Sequence, residues 1–328
     1  MSLAIEALKQ DQNLNDIQAL DHIIAMLDPS TSPPTPLLMI KKSAFTEDEV
    51  LSIGRISRRV GFATLFLPGI QADPPLDAVV SGTNTYQDVV DISPADLSAP
   101  TDDRPFFYQF DRGLPKELQS LGLVLGGVLV VTIVGLFAYA IMTRTPHLPS
   151  YTLYFSALGA GFMLVEIALI QQTRLFIGHP TLAVSLVIAT LLISGGIGSA
   201  LYRRIQPNIT HLNPLPLILI ILVVALWQTI WQIVTPQVIG SDPLIRVGVV
   251  VMMVFPLGLL MGIPFPLGLT VAGQTDARLV TLAWGMNGLF SVIGSVLAIA
   301  VAISVGFSAV FAVASTFYAV ALIIAILR

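Results

Sequence analysis

Residues 118–328 of this chain hold only ten charged side chains, seven basic and three acidic. A typical globular domain is roughly a quarter charged, so an aqueous fold is excluded for this stretch. About 20 consecutive apolar residues span the hydrocarbon core of a bilayer. Seven stretches meet that length: 121–142, 151–170, 182–201, 215–234, 247–271, 281–303 and 307–327. The connections are short, so helices adjacent in sequence are expected to be adjacent in space.

Residues 1–117 are different in kind. They carry 17 acidic and 9 basic residues, net −8, against +4 for the remainder. The expected fold is therefore mainly α: a polytopic membrane bundle of about seven transmembrane helices (118–328) preceded by a partial α/β soluble segment (1–117). Lipid bilayer is the expected partner. Basic loop residues divide five and five between the two sides, so the positive-inside rule sets no orientation.

Within the first segment, apolar residues at Leu3, Ile5, Leu8 and at Leu14, Ile17, Leu20 predict short helices. HIIAML (His22–Leu27) is either a buried strand or a helix end, because periodicity does not decide at this length. PSTSPPTP (Pro29–Pro36) predicts a loop and LLMIKK (Leu37–Lys42) a strand, with a hairpin between the two apolar runs. Thr46 with Glu49 three residues later predicts a capping box opening a helix that runs to Arg59 and ends at Gly61. FATLFLPG (Phe62–Gly69) predicts another strand, and 71–101 a surface loop with a turn of helix. Three strands and one good helix offer a small core. The segment reads as the C-terminal end of a larger domain.

Composition removes several functions. The soluble segment is acidic, which argues against nucleic acid as a partner. The chain has no cysteine, hence no disulfide, thiolate metal site or thiol nucleophile. Its four histidines (His22, His147, His179, His211) have no metal-ligand spacing. There is no glycine-rich turn between a strand and a helix, no P-loop, no HExxH and no GxSxG. The opening residues, MSLAIEALKQDQ, have no apolar core of a secretory signal.

Four features of the membrane segment bear on chemistry. Glu166 is the only acid deep inside a span, and an acid there is expected to face the bundle interior. Its role is either a hydrogen bond for packing or the handling of a substrate or proton. Asn287, Ser291 and Ser295, spaced by four, form a small polar stripe that favours helix packing and offers a partner surface for Glu166. SGGIGSA (Ser194–Ala200) is a similar patch. FPLGLLMGIPFPLG (Phe255–Gly268), with Pro256, Pro264 and Pro266, predicts a kinked or broken fifth span. His179 lies in a short loop after Gln171, Gln172 and Arg174, where it caps a helix end or titrates near neutral pH.

Taken together, several stretches resemble the membrane-integrated spermidine synthase-like proteins of bacteria. APTDDRPFFYQF (Ala99–Phe110) is similar to the acidic-Arg-Pro-aromatic segment that closes the soluble domain of that family. Tyr154–Leu201, with Glu166 and the Gly-His-Pro at 178–180, is similar to its membrane signature. GIPFPLGL (Gly262–Leu269) and WGMNGLFSVIGSVLAIAVAISVGF (Trp284–Phe307) resemble its later helices. KKSAFTEDEV and GFATLFLPG fit the strand–helix–strand before the closing segment. The resemblance implies a methyltransferase-like soluble fold, a bacterial inner membrane location and a parent activity of aminopropyl or related transfer from an adenosyl-type cofactor. It also implies that the cofactor-binding and catalytic residues lie in an N-terminal half encoded upstream. No catalytic, cofactor-binding or metal residue is carried over, and this chain alone is not expected to bind the cofactor or to catalyse. The alternative from the residues themselves is a transporter or substrate-conducting bundle using Glu166 and the broken fifth helix; a third is a membrane anchor without a ligand.

Overall fold

The computed structural model describes residues 1–106, 109–145, 147–206 and 208–328. Phe107 and Tyr108 of the APTDDRPFFYQF segment lie outside the described residues. The chain forms two compact units, one of residues 1–101 and 106–112, the other of residues 102–105 and 113–328.

The first unit begins with α1 (Ser2–Gln12) and α2 (Asp16–Leu20), followed by β1 (Ile23–Asp28) and β2 (Thr35–Ile40). After α3 (Glu47–Val60) come β3 (Ala63–Leu67), β4 (Gln71–Ala72), α4 (Leu76–Val80) and α5 (Tyr86–Ile92). The sheet order is β2-β1-β3-β4 and every pairing is antiparallel. His22–Leu27 thus resolves to a strand, and the expected hairpin with β2 forms, pairing Ile23 with Ile40 and Leu27 with Pro36. Pro36 is tolerated because β2 is an edge strand with its free side unpaired. The capping box at Thr46 and Glu49 is present, and Gly61 ends α3 with φ +85°. Over 71–101, expected to be a surface loop with a turn of helix, the chain forms the two-residue strand β4 and two short helices. Their sequence pattern is too short to register as a period.

Both faces of the sheet are covered, as the alternation along β1 requires. Ile23 packs with Ile5, Leu20, Phe66 and Val89 on one face; Ile24 and Met26 pack with Val50 of α3 and Leu67 on the other. A partly buried polar tie holds the first face. Asp16 accepts from Lys9 Nζ at 2.8 Å and from the Tyr86 amide at 2.9 Å. Partial burial pushes the Asp16 carboxyl up, but the Lys9 and Tyr86 hydrogen bonds together outweigh it and hold it below the usual carboxylate range. A group with a depressed folded pKa stabilises fully above its unfolded value of about 4 and loses that contribution as pH falls through the folded value. Amide exchange in α1, α2 and α5, corrected for intrinsic rate, is therefore expected to lose protection as pH falls below about 4. Asp16→Asn should flatten that response; an unchanged pH dependence in the variant would assign it to other carboxylates.

The second unit comprises α6 (Lys116–Thr143), α7 (Leu148–Ile177), α8 (Pro180–Ile205), α9 (Leu215–Val238), α10 (Pro243–Met261), α11 (Pro264–Thr275), α12 (Ala277–Ser304) and α13 (Phe307–Ile326). Among the described residues seven spans are long and apolar enough to cross a membrane, with α10 and α11 together forming the fifth. The chain is an integral membrane protein with a mainly α, polytopic bundle.

Helix α7 is the hub, packed against α12, α13 and α8. Its small residues permit this. The backbone of Ala160 lies 2.8 Å from where a Cβ on Gly294 would stand, so these two helices meet backbone to backbone. Helix α8 crosses α10 in the same way through Ser194, Gly195 and Gly198 against Gly258, Leu259 and Gly262. At the far end of α7, the Trp227 indole donates to Gln172 at 2.9 Å, and Gln172 donates to Gln228 at 2.6 Å, joining α7 to α9. Helix α6 packs along α12 and buries none of its residues.

The fifth span is broken, as its prolines require. Pro264 and Pro266 cannot donate backbone hydrogen bonds, and the helix interrupts at Gly262–Ile263. The Tyr154 hydroxyl of α7 donates to the Pro264 carbonyl at 3.0 Å, fixing the break against the hub helix.

Candidate intramembrane site

Three acids occur in residues 118–328. Two of them are helix caps: Asp242 accepts from the Leu244 amide at 2.8 Å and Asp276 from the Arg278 amide at 2.9 Å. Glu166 is the third. It lies on the helical stripe that carries Gly159, which meets the Asn287 backbone, and Phe162 one turn before it. It is half-buried and has no hydrogen-bond or ion-pair partner among the described residues.

The polar stripe of α12 is directed elsewhere. Asn287 Nδ2 donates to the Phe155 carbonyl at 3.4 Å, and Ser291 Oγ to the carbonyls of Asn287 at 2.8 Å and Gly159 at 3.5 Å. Ser295 donates to Ser291 within its own helix. The stripe therefore serves close approach to α7, and a hydrogen bond between Glu166 and Asn287, Ser291 or Ser295 is not formed. The reason is geometric: the close approach presents these side chains with α7 carbonyls two turns or more before Glu166. His179 sits at the N-terminal cap of α8, exposed, with no side-chain capping bond, and it does not belong to this cluster.

What Asn287 and Ser291 do border is a cavity of about 460 Å³. Its floor is α7 at Leu158 and Phe162; its walls are Gly195, Gly196 and Ser199 of α8, Phe265 and Pro266 of α11, and Tyr318 of α13. The space exists because glycines and serines face it from α8 and because the helix break at Gly262 removes a turn of side chains. Phe265 stands edge-on to Trp284 at 4.8 Å and to Phe155 at 5.5 Å, giving the wall a rigid aromatic lining. Leu192 and Trp284, also lining it, are 66% and 60% exposed. The cavity thus opens sideways from the bundle, toward lipid.

Glu166 and His179 are not among the lining residues, whereas Asn287 and Ser291 are. Sequence reasoning passed over Tyr318, which sits in the apolar run TFYAVALII with no polar company to mark it. It read Gly195 and Gly196 as packing residues; Gly195 does pack against α10, while a Cβ at Gly196 would meet nothing within 4 Å. The first unit has its own cavity of about 560 Å³, bordered by Asp73, Tyr86, Asp96, Phe106 and Phe110. Among the described residues no group of three or more His, Asp or Glu is placed to hold a metal ion. No family model, no curated protein and no solved structure matches this chain.

Proposed function

We propose that this chain is the membrane portion of a spermidine synthase-like transferase assembly, and that its helical unit holds a lipid-soluble molecule. The observation that carries the reading is the lateral cavity at the broken fifth span, whose size falls within the range of small-molecule sites. The resemblance supplies the rest of the proposal: aminopropyl or related transfer from an adenosyl-type cofactor, bound by a separate half encoded upstream, at the bacterial inner membrane. In this reading the chain by itself is not catalytic, and nucleic acid is not a partner. Conduction through the bundle is a second reading, favoured by the helix break bordering the cavity; flux into vesicles that depends on Glu166 would support it.

Gly196 provides the test. It borders the cavity and a Cβ there meets nothing within 4 Å, so Gly196→Leu is expected to narrow the site at little cost to the fold. Replacing glycine by leucine within a helix also improves helix propensity. Native mass spectrometry of the full chain released from phosphatidylcholine nanodiscs is expected to show a retained lipophile on the wild type and none on the equally folded variant. Equal retention by both proteins would remove the cavity from the proposal.

A further inference from the structure

The lining of the lateral cavity contains no Asp, Glu, Lys, Arg or His. A charged group placed there would lose hydration with no counter-ion to replace it, which is costly in a low-dielectric site. Charged lipid headgroups, carboxylates and ammonium ions are therefore poor occupants. A plain acyl chain is also a poor match, for a reason found in two hydroxyl groups.

Tyr318 is 2% exposed, borders the cavity, and its hydroxyl has no hydrogen-bond partner among the described residues. The hydroxyl oxygen itself keeps accessible surface, so a partner inside the cavity can reach it. Ser199 makes an independent point. Ser194, Ser291, Ser295 and Ser315 each donate to the carbonyl one turn back in their own helix. Ser199 makes no such bond and borders the same cavity. Two donors thus face a space whose walls are Phe162, Phe265, Trp284 and Tyr318. Flat rings pack well against such walls.

We infer that the occupant is an uncharged ring compound bearing a hydrogen-bond-accepting oxygen, of the quinone or phenol class, with an apolar tail leaving past Leu192 and Trp284 into lipid. Tyr318 and Ser199 donate to the ring oxygen and the aromatic walls hold the ring. This assignment rests on the cavity being a binding site and adds the chemical class of its ligand.

The experiment uses the full chain in phosphatidylcholine nanodiscs and three probes with alkyl tails of nine or ten carbons: decylubiquinone, decylbenzene and decanoate. Native mass spectrometry reads the bound fraction of each against concentration. Decylubiquinone is expected to saturate at one per chain, to bind about 5–10-fold more tightly than decylbenzene, and to be lost in Gly196→Leu. Tyr318→Phe, which keeps the ring and its packing, is expected to weaken decylubiquinone by about 5–10-fold and leave decylbenzene unchanged. Decanoate is expected not to saturate. Equal affinity for decylubiquinone and decylbenzene, an unchanged quinone affinity in Tyr318→Phe, or saturable decanoate binding would overturn the assignment. If decylbenzene saturates in a Gly196-dependent manner while decylubiquinone does not, the binding site survives and the ligand class fails. If no probe binds and Gly196→Leu matches the wild type throughout, the cavity reading fails with it.

Discussion

Gly198→Ala is expected to lower the unfolding midpoint of the full chain sharply, although alanine is the better helix former by about 1 kcal/mol. The added methyl group would overlap the Leu259 carbonyl oxygen and stand 2.8 Å and 2.9 Å from its carbonyl carbon and Cα. Every one of those atoms is backbone, held by the hydrogen bonds of α10, so no side chain can swing aside. The two helices must separate, and Gly195 and Gly262, in contact one turn away, separate with them. Overpacking a close interface costs about 1–3 kcal/mol even where side chains adapt, and the upper end applies where they do not. The steric loss exceeds the propensity gain. Gly196→Ala, two positions away with open space around it, should move the midpoint the other way. Denaturant titration of both variants in one detergent settles the comparison; two shifts of the same sign would show that propensity, not approach distance, governs this helix.

A second large effect is expected at Asp103. The N-cap of α13 is Gly306, which has no side chain to cap the helix and adopts φ +118°. The cap comes instead from far along the chain. Asp103 accepts from the Ser308 amide and the Ser308 hydroxyl, each at 2.8 Å, and its main-chain carbonyl accepts from the Phe307 amide at 2.9 Å. A carboxylate at a helix N-terminus pairs exposed amides and complements the helix dipole. Asp103→Ala removes two charge-assisted bonds and should destabilise the helical unit by about 2–3 kcal/mol. Asp103→Asn, which keeps an accepting oxygen in place, should cost less than half of that. Hydrogen exchange at residues 307–310 is the direct readout. Protection there that survives Asp103→Ala would mean the first turn of α13 is held by packing alone.

The sequence made the spans legible because insertion is decided by composition over about 20 residues, a property each segment carries by itself. Thr46 with Glu49 was legible for the same reason, since the partners are close in sequence, whereas the run at 22–27 was too short for its period to choose between strand and helix end. Pro264 and Pro266 announced the break because proline acts on its own helix. What stayed hidden depends on partners distant in the chain. Glu166 drew attention by its charge, yet Asn287 and Ser291 turn to α7 carbonyls near Phe155 and Gly159. A small-residue stripe states that some helix comes close and carries no address for which one, so the α8–α10 crossing could not be named. Tyr318 gave no signal, since an aromatic residue in an apolar helix is ordinary until a cavity opens beside its hydroxyl. Asp103 and Ser308 are separated by 205 positions, and no local pattern links them.

Helix α6 shows what freedom a lipid-facing position confers. It buries no residue, and Cβ atoms at its glycines 122, 126, 127 and 135 would meet nothing within 4 Å. Leucine, valine, isoleucine and alanine are nearly interchangeable at such sites, because hydrocarbon accepts each of them and no neighbour imposes a shape. Substitution at α6 is therefore expected to keep an average and lose the letters, while α7, enclosed by other helices, is expected to keep the letters themselves. Two helices of similar length in one chain would then drift apart at very different speeds, and a comparison of descendants would lose sight of α6 long before α7.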